Sequence, residues 1–321
     1  METRALVKVE AGELDQVLNL VDEAFNYWLY KIKDRSDKTI EHYLQCWGYF
    51  QKYIGAENRE QAFAMLLGGG PAQANSLVGE WMNYLRKEKK LRPRTSNNYL
   101  SVISSLVDAV KDWGKINWTI GVKGAKIPET EEPEGPGIEA INKILSMLKE
   151  KNDMKSIRDY AIILMYKEEI SRRGEIQNLD IEDINFNEME IKVKTKGNPQ
   201  KESKAISPTF REALENWLKI RKVKRGPVFI RINGLNKENP ERLTGVSLWR
   251  MVREYGKAIG LEMNIHPHSF RHTMVSYLCD QGHHVKKIMA MTGHKDPKTL
   301  AIYFMNRKKD QREMVSVLSA A

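Results

Sequence analysis

At 321 residues the chain is long enough for two domains with cores of their own, and 41% hydrophobic with 29% charged residues is ordinary for a soluble protein. A formal net charge of +10 favours a polyanionic partner, with nucleic acid ahead of a membrane because no amphipathic basic tail or lipidation signal is present. Two cysteines, Cys46 and Cys279, stand far apart with no C-x-x-C, which excludes a disulfide framework or a zinc knuckle and suits a reducing, cytoplasmic compartment.

The opening residues, Met-Glu-Thr-Arg-Ala-Leu-Val-Lys, contain no apolar h-region, and no apolar run approaches the length of a bilayer span, so neither secretion nor membrane insertion is expected. Residues 1–21 read as an arm or initial helix, with Leu14, Val17, Leu18 and Val21 on one stripe. From residue 22, Phe25, Trp28, Leu29 and Ile32 recur at helical spacing, and Ser36-Asp-Lys-Thr-Ile40 opens a second helix that carries Tyr43, Leu44, Trp47 and Phe50. Gly68-Gly-Gly-Pro71 reads as a break. A third helix is expected from Leu77 to Lys89, and Arg92-Pro-Arg-Thr-Ser96 leads into a fourth with Tyr99, Val102, Ile103, Leu106 and Val110 inward. Four such helices make a bundle over residues 22–118. Its tryptophans sit among aliphatics and read as core. Lys31, Lys33, Arg35 and Lys38, then Arg86 through Arg94, cluster instead at helix boundaries, where Lys38, Arg92 and Arg94 are candidates for phosphate contact against the plainer reading of a solvated face.

Residues 119–137 turn to Gly, Pro and Glu and read as an extended linker that would let two domains close around a duplex. The second domain, 138–321, opens with helices at Ile138 to Lys151 and Ser156 to Lys167, followed by Ile170-Ser-Arg-Arg-Gly-Glu-Ile-Gln-Asn-Leu179. Ile181 to Phe186 and Met189 to Thr195 alternate and are β-rich, so a hairpin is expected. A basic turn runs from Lys194 to Lys204 into a third strand, Ala205 to Ser207, then helices at Thr209 to Val223 and Leu243 to Ile259, where Arg250 is a further candidate for backbone contact. Past Arg307-Lys308-Lys309 a last amphipathic helix is expected from Gln311 to Leu318.

The chemistry concentrates in His266-Pro-His-Ser-Phe-Arg-His-Thr273 and Thr292-Gly-His-Lys-Asp-Pro-Lys-Thr-Leu-Ala-Ile-Tyr303. If a helix starts at Pro267, His268 and Arg271 share its first turns and one direction. Gly293-His294 is a small-residue break, and Tyr303 lies nine residues beyond that histidine. Arginine, two histidines and a tyrosine suit a phosphodiester: donors for the non-bridging oxygens and a phenol that can attack phosphorus.

This order and spacing resembles the C-terminal signature of the tyrosine recombinase, or phage integrase, family: His-x-x-Arg, a Gly-His pair, and a tyrosine nine residues after that histidine. The stretch from Ile170 is similar to the family's first arginine motif, except that the family usually has Gly-Leu where Ile170-Ser171 stand here. The resemblance implies a mainly α protein: an N-terminal helical core-binding (SAM-like) bundle, then a mostly helical catalytic domain with a small antiparallel sheet. It implies Tyr303 as nucleophile, Arg172 and Arg271 as charge-neutralising groups, His268 and His294 as phosphate or proton-transfer groups, and Glu175 as support for Arg172. Arg173 remains the competitor of Arg172. On the basic turn Lys196 matches the family's catalytic lysine best, with Lys201 second and also a candidate DNA contact. The family's reaction needs neither metal nor other cofactor, and its partners are double-stranded DNA at specific sites, a homodimer per site and a homotetramer in synapsis. Competing readings are a type IB topoisomerase or hairpin telomere resolvase, a non-catalytic DNA-binding protein on this scaffold, and a zinc hydrolase built on His266, His268, His272, His283, His284 and His294, for which no H-E-x-x-H exists.

Overall fold

The computed structural model describes residues 23–127, 135–195, 198, 200–235, 237, 240–301, 303, 315, 318 and 319. The chain divides into two units, Met1–Glu129 and Thr130–Ala321. The arm expected over 1–21, and most of the helix expected from Gln311 to Leu318, lie outside the described residues, as does Lys196.

In the first unit α1 covers residues 23–32. It is followed by α2 (Asp37–Ile54), α3 (Arg59–Leu67), α4 (Gly70–Lys87) and α5 (Pro93–Asp112). α2, α4 and α5 each have one apolar face, α3 is apolar over its last six residues, and these surfaces close on Trp28, Phe50, Phe63, Trp81, Ile103 and Leu106, all withdrawn from solvent. Phe50 meets Trp81 edge to face at 4.9 Å, and the Trp28 indole N–H donates to Ser105 at 3.0 Å, so the aromatic centre is packed with its polar handle satisfied. α3 is a helix that the sequence pattern does not predict, and α4 starts at Gly70, seven residues before the expected Leu77. Asn58 caps α3 by accepting from the Gln61 N–H, and Pro71 falls in the first turn of α4, where its missing donor costs nothing. Gly68-Gly-Gly-Pro71 is therefore a corner between two helices. Residues at the start of the expected linker run along this unit, where the Gly121 and Ala125 N–H groups donate to Asn75 and Asn97.

The second unit is built on α6 (Ile138–Lys151), α7 (Met154–Lys167), the short α8 (Arg173–Gln177), α9 (Pro208–Arg221), α10 (Gly245–Ala258), α11 (Pro267–Asp280), α12 (Val285–Thr292) and α13 (Lys298–Ala301). Between α8 and α9 lie β1 (Ile184–Asn185), β2 (Glu190–Lys194) and β3 (Lys201–Ala205), an antiparallel sheet in the order β1-β2-β3 with Ile184 opposite Ile191 and Lys194 opposite Lys201. On β2 the alternation buries Ile191 and Val193 and exposes Lys192 and Lys194, as period-2 patterning requires. Helix α7 is apolar nearly all round, with Ala161 to Tyr166 buried, and packs against α6, α9 and α11. The third strand starts at Lys201, four residues before the sequence reading placed it, because the basic stretch after Gln200 pairs with β2 instead of staying a turn. The fold is thus mainly α with a small antiparallel sheet. Among the described residues no helix is long and apolar enough to cross a membrane.

Candidate active site

Three chain corners of the second unit meet at the candidate site. The first is the end of α7. Its last turn is followed by Ile170, a buried residue in the left-handed region at φ 47°, and then by Arg172, which caps α8. Glu175, one turn into α8, accepts from the Arg172 backbone N–H at 3.1 Å and from its guanidinium at 3.0 Å, so the short helix orients the side chain that precedes it. Arg172 also donates to the Gly293 carbonyl at 3.1 Å. Arg173 is exposed and lies against Gly245 instead.

The second corner is the start of α11, where Pro267 occupies the first turn and His268, Arg271 and His272 follow at helical spacing. Arg271 is 2% exposed and donates to the carbonyls of Ile170, at 2.8 Å, and Thr292. Burial, and next the nearby charge of Arg172, pull its guanidinium down to about 10, which still leaves it charged at neutral pH.

The third corner closes α12. Gly293 adopts φ 65°, a conformation that favours glycine, and turns its carbonyl toward Arg172. His294 follows, with Nε2 at 3.2 Å from Arg271 and Nδ1 at 2.7 Å from the Thr292 hydroxyl. An arginine only donates, so Nε2 accepts and the proton sits on Nδ1, which donates to Thr292; that hydroxyl donates onward to the Ile288 carbonyl at 2.6 Å. Burial, and then the charges of Arg271 and Arg172, hold His294 down to about 4, in agreement with a neutral ring. Tyr303, just beyond α13, is 4% exposed, and its hydroxyl is hydrogen-bonded to Nδ1 of His272. The His272 ring meets that of His268 edge to face at 4.4 Å, and His268 is exposed.

Arg172, Glu175, His268, Arg271, His294 and Tyr303 are therefore brought together from segments more than a hundred residues apart. Lys201 is elsewhere: its ammonium donates to Asp183 at 2.7 Å and lies 3.6 Å from Asp180. Lys38 and Arg92 are exposed at the starts of α2 and α5 in the first unit, with Arg94 in the first turn of α5, and Arg250 is exposed on α10 in the second.

Two residues have roles at this site that the sequence did not suggest. Lys204 on β3 is half-buried, and its ammonium donates to the Glu169 carbonyl at 3.0 Å and to Glu175 at 3.2 Å, so it steadies the carboxylate that holds Arg172. Burial lowers its pKa, opposed by Glu175. The alternation of Glu202 and Lys204 would have revealed it had the strand been started at Lys201. The other is His272, legible as the residue one turn beyond His268 on the same helix face. Among the described residues no group of three or more His, Cys, Asp or Glu is placed to hold a metal ion.

An arginine pair, histidines and a buried tyrosine, carried by short helices beside a three-stranded sheet, define a class of DNA strand-transfer scaffold, and the match to known proteins follows the same lines. The phage integrase family model matches residues 138–310, more than half of the chain, and the chain belongs to that family, the tyrosine recombinases. Among curated proteins it is 26% identical over 290 residues to tyrosine recombinase XerC of Shewanella sp. (strain ANA-3), covering 81% of this chain and 91% of that protein. It is also 26% identical over 226 residues to tyrosine recombinase XerA of Pyrococcus horikoshii, covering 69% and 75%. Among solved structures it is similar in fold to the Tn1549 transposon integrase in complex with circular intermediate DNA, with TM-score 0.65, 18% identity and coverage of 92% and 99%. The XerH site-specific recombinase bound to its difH substrate, a pre-cleavage complex, gives TM-score 0.63, 16% identity and coverage of 94% and 96%.

Proposed function

We propose that this chain is a site-specific DNA recombinase that cleaves and rejoins strands through a 3′-phosphotyrosine intermediate, serving integration, excision or resolution. The observation that carries the reading is the meeting of Arg172, Arg271, His294 and Tyr303 at one place, inside the stretch matched by the phage integrase family. The DNA substrates of the Tn1549 integrase and of XerH support double-stranded DNA as the partner.

In this reading Tyr303 attacks the scissile phosphorus in line, the bond to the 5′-oxygen breaks, and the protein keeps the 3′-phosphate. Arg172 and Arg271 retain N–H donors beyond those given to Glu175, Gly293, Ile170, Thr292 and His294, and these neutralise the non-bridging oxygens. His268 and His294 complete the phosphate cradle, and Lys196 protonates the departing 5′-oxygen. Because the phosphotyrosine conserves the energy of the phosphodiester, a 5′-hydroxyl reverses the step without nucleotide or metal. Lys201, bound to Asp183, is the weaker candidate for the acid. Residues 22–118 serve as the core-binding domain, 119–137 as linker and 138–321 as the catalytic domain. Lys38, Arg92, Arg94, Lys201 and Arg250 contact the DNA backbone, and two protomers act at each site and four in synapsis, in the cytoplasm.

The test is a nicked duplex that traps the cleaved strand, carrying attachment sites from the chain's own genomic neighbourhood, resolved on a denaturing gel. Wild type forms an adduct at the 3′-phosphate. Tyr303→Phe binds DNA normally and forms none; an adduct in this variant would move the nucleophile elsewhere, first to the exposed Tyr277. Arg172→Ala loses at least ~100-fold in cleavage, whereas the exposed Arg173→Ala stays near wild type.

A further inference from the structure

We propose that His272 is a catalytic residue, the general base that takes the proton from the Tyr303 hydroxyl as that oxygen attacks phosphorus. The proposal rests on the recombinase reading above. A phenol of ordinary pKa near ~10 is ionised in only about one molecule in a thousand at neutral pH, so the nucleophile needs a base within hydrogen-bond reach. His272 meets that condition through its Nδ1, bonded to the Tyr303 hydroxyl, with the two rings 5.8 Å apart.

The neighbouring histidines do not compete. The acceptor nitrogen of His294 is occupied by Arg271 and its other nitrogen by Thr292, so it cannot take a proton without breaking the pair that positions Arg271. His268 lies with its ring against His272. The groups that face His272 are His268, His266 and Arg271 from its own helix and cap, His294 from the end of α12, and Tyr303. Burial first, and then the charges of His268, His266, Arg271 and His294, hold His272 down to about 4, so at neutral pH it is a neutral imidazole. With its proton on Nε2, the Nδ1 lone pair receives the phenolic O–H.

An imidazole held this low is a weak base toward a resting phenol. The balance changes in the reaction. As the bond from oxygen to phosphorus forms, the phenolic proton becomes strongly acidic, and an arriving phosphate anion raises the imidazole by placing opposite charge beside it. The O–H bond of Tyr303 breaks and its proton moves to Nδ1, giving an imidazolium. The oxygen–phosphorus bond forms, the bond to the 5′-oxygen breaks, and that oxygen takes a proton from the lysine acid. On rejoining, the 5′-hydroxyl gives its proton back to the lysine as its oxygen attacks phosphorus, the bond from phosphorus to Tyr303 breaks, and the imidazolium returns its proton to the departing phenolate.

The experiment measures single-turnover adduct formation on the nicked duplex between pH 6 and 9 for wild type, Tyr303→Phe, His272→Asn and His272→Gln. Melting and DNA binding are checked for each. Asparagine keeps an acceptor near the Nδ1 position but cannot take up a proton at these pH values. We expect normal binding, a loss of about 100-fold at pH 7, and a rate that climbs about tenfold per pH unit in both His272 variants, since solvent must then supply the phenolate. Wild type is flat across this range. A substrate with sulfur replacing the bridging 5′-oxygen, whose leaving group needs no proton, does not restore either variant. A loss that is the same at every pH overturns the proposal in favour of a structural role. Faster cleavage identifies a contact that restrains Tyr303, and rescue by the sulfur substrate moves His272 to the leaving group; either result overturns the base. If wild type also forms no adduct on DNA that it binds, the recombinase reading itself fails.

Discussion

Gly293 joins backbone conformation to chemistry within a single residue. Its φ of 65° closes α12, and its carbonyl receives the Arg172 guanidinium, while a Cβ there would lie 3.4 Å from Arg172 Nη1, an ordinary contact. The cost of Gly293→Ala is therefore mainly that of a left-handed non-glycine residue, roughly 1–2 kcal/mol. A melting temperature lower by several degrees is expected. Relaxing that strain shifts the carbonyl that positions Arg172, so cleavage drops about tenfold while DNA binding stays near wild type; calorimetry and the adduct assay check the two effects separately. The glycine before His294 is thus explained by a turn, and the histidine after it by the bond it accepts from Arg271.

At the scale of elements, the corner between α7 and α8 is tied to the edge of the sheet by buried charges. Glu169, 5% exposed, accepts from the Ser207 N–H at 3.1 Å, and burial raises its carboxyl to about 7, with Ser207 and Lys204 opposing the shift. A folded-state pKa above the unfolded value means that the native state binds the extra proton. Glu169 then contributes stability that is complete below about pH 4.5 and lost as pH rises through about 7. The loss is on the order of 3 kcal/mol. In denaturant titrations Glu169→Gln should gain on wild type across that window, and a constant difference would mean that the carboxyl ionises freely. None of this was legible in the sequence, since Glu169, Lys204 and Ser207 meet only after the chain has gone through the sheet. What was legible had local causes. α6 spans the predicted residues, closed at Asn152 in the left-handed conformation, and the order of the motifs pointed to Arg172, Arg271, His294 and Tyr303. Helix α3 is not legible because its apolar residues run unbroken from Ala62 to Leu67 and so show no helical period.

Across the whole molecule the formal charge of +10 has exposed outlets in both units, at Lys38, Arg92 and Arg94 in the first and Arg250 in the second. Binding to a cognate duplex should weaken steeply with salt, with a log–log slope of about −5 or steeper for ~6 neutralised phosphates. Each of Lys38→Ala, Arg92→Ala, Arg94→Ala and Arg250→Ala should reduce that slope by about one, without changing which sequence is preferred. A slope unaffected by these changes, measured by anisotropy from low to high salt, would remove them from the interface. Ile170 has a consequence of another kind. It is a β-branched residue in the left-handed region, its side chain is buried in the second unit's core, and its carbonyl receives Arg271. Adopting that conformation costs roughly 1–2 kcal/mol, and the arginine's bond helps to offset it. A descendant that gave up cleavage by losing Arg271 would inherit a backbone strain with its restraint removed, and would tend to misfold before it could persist as a silent DNA binder. Loss of Tyr303 breaks no such bond at the 170 carbonyl. Inactive relatives of this chain should accordingly have lost the nucleophile first and kept the arginine, or carry glycine at 170.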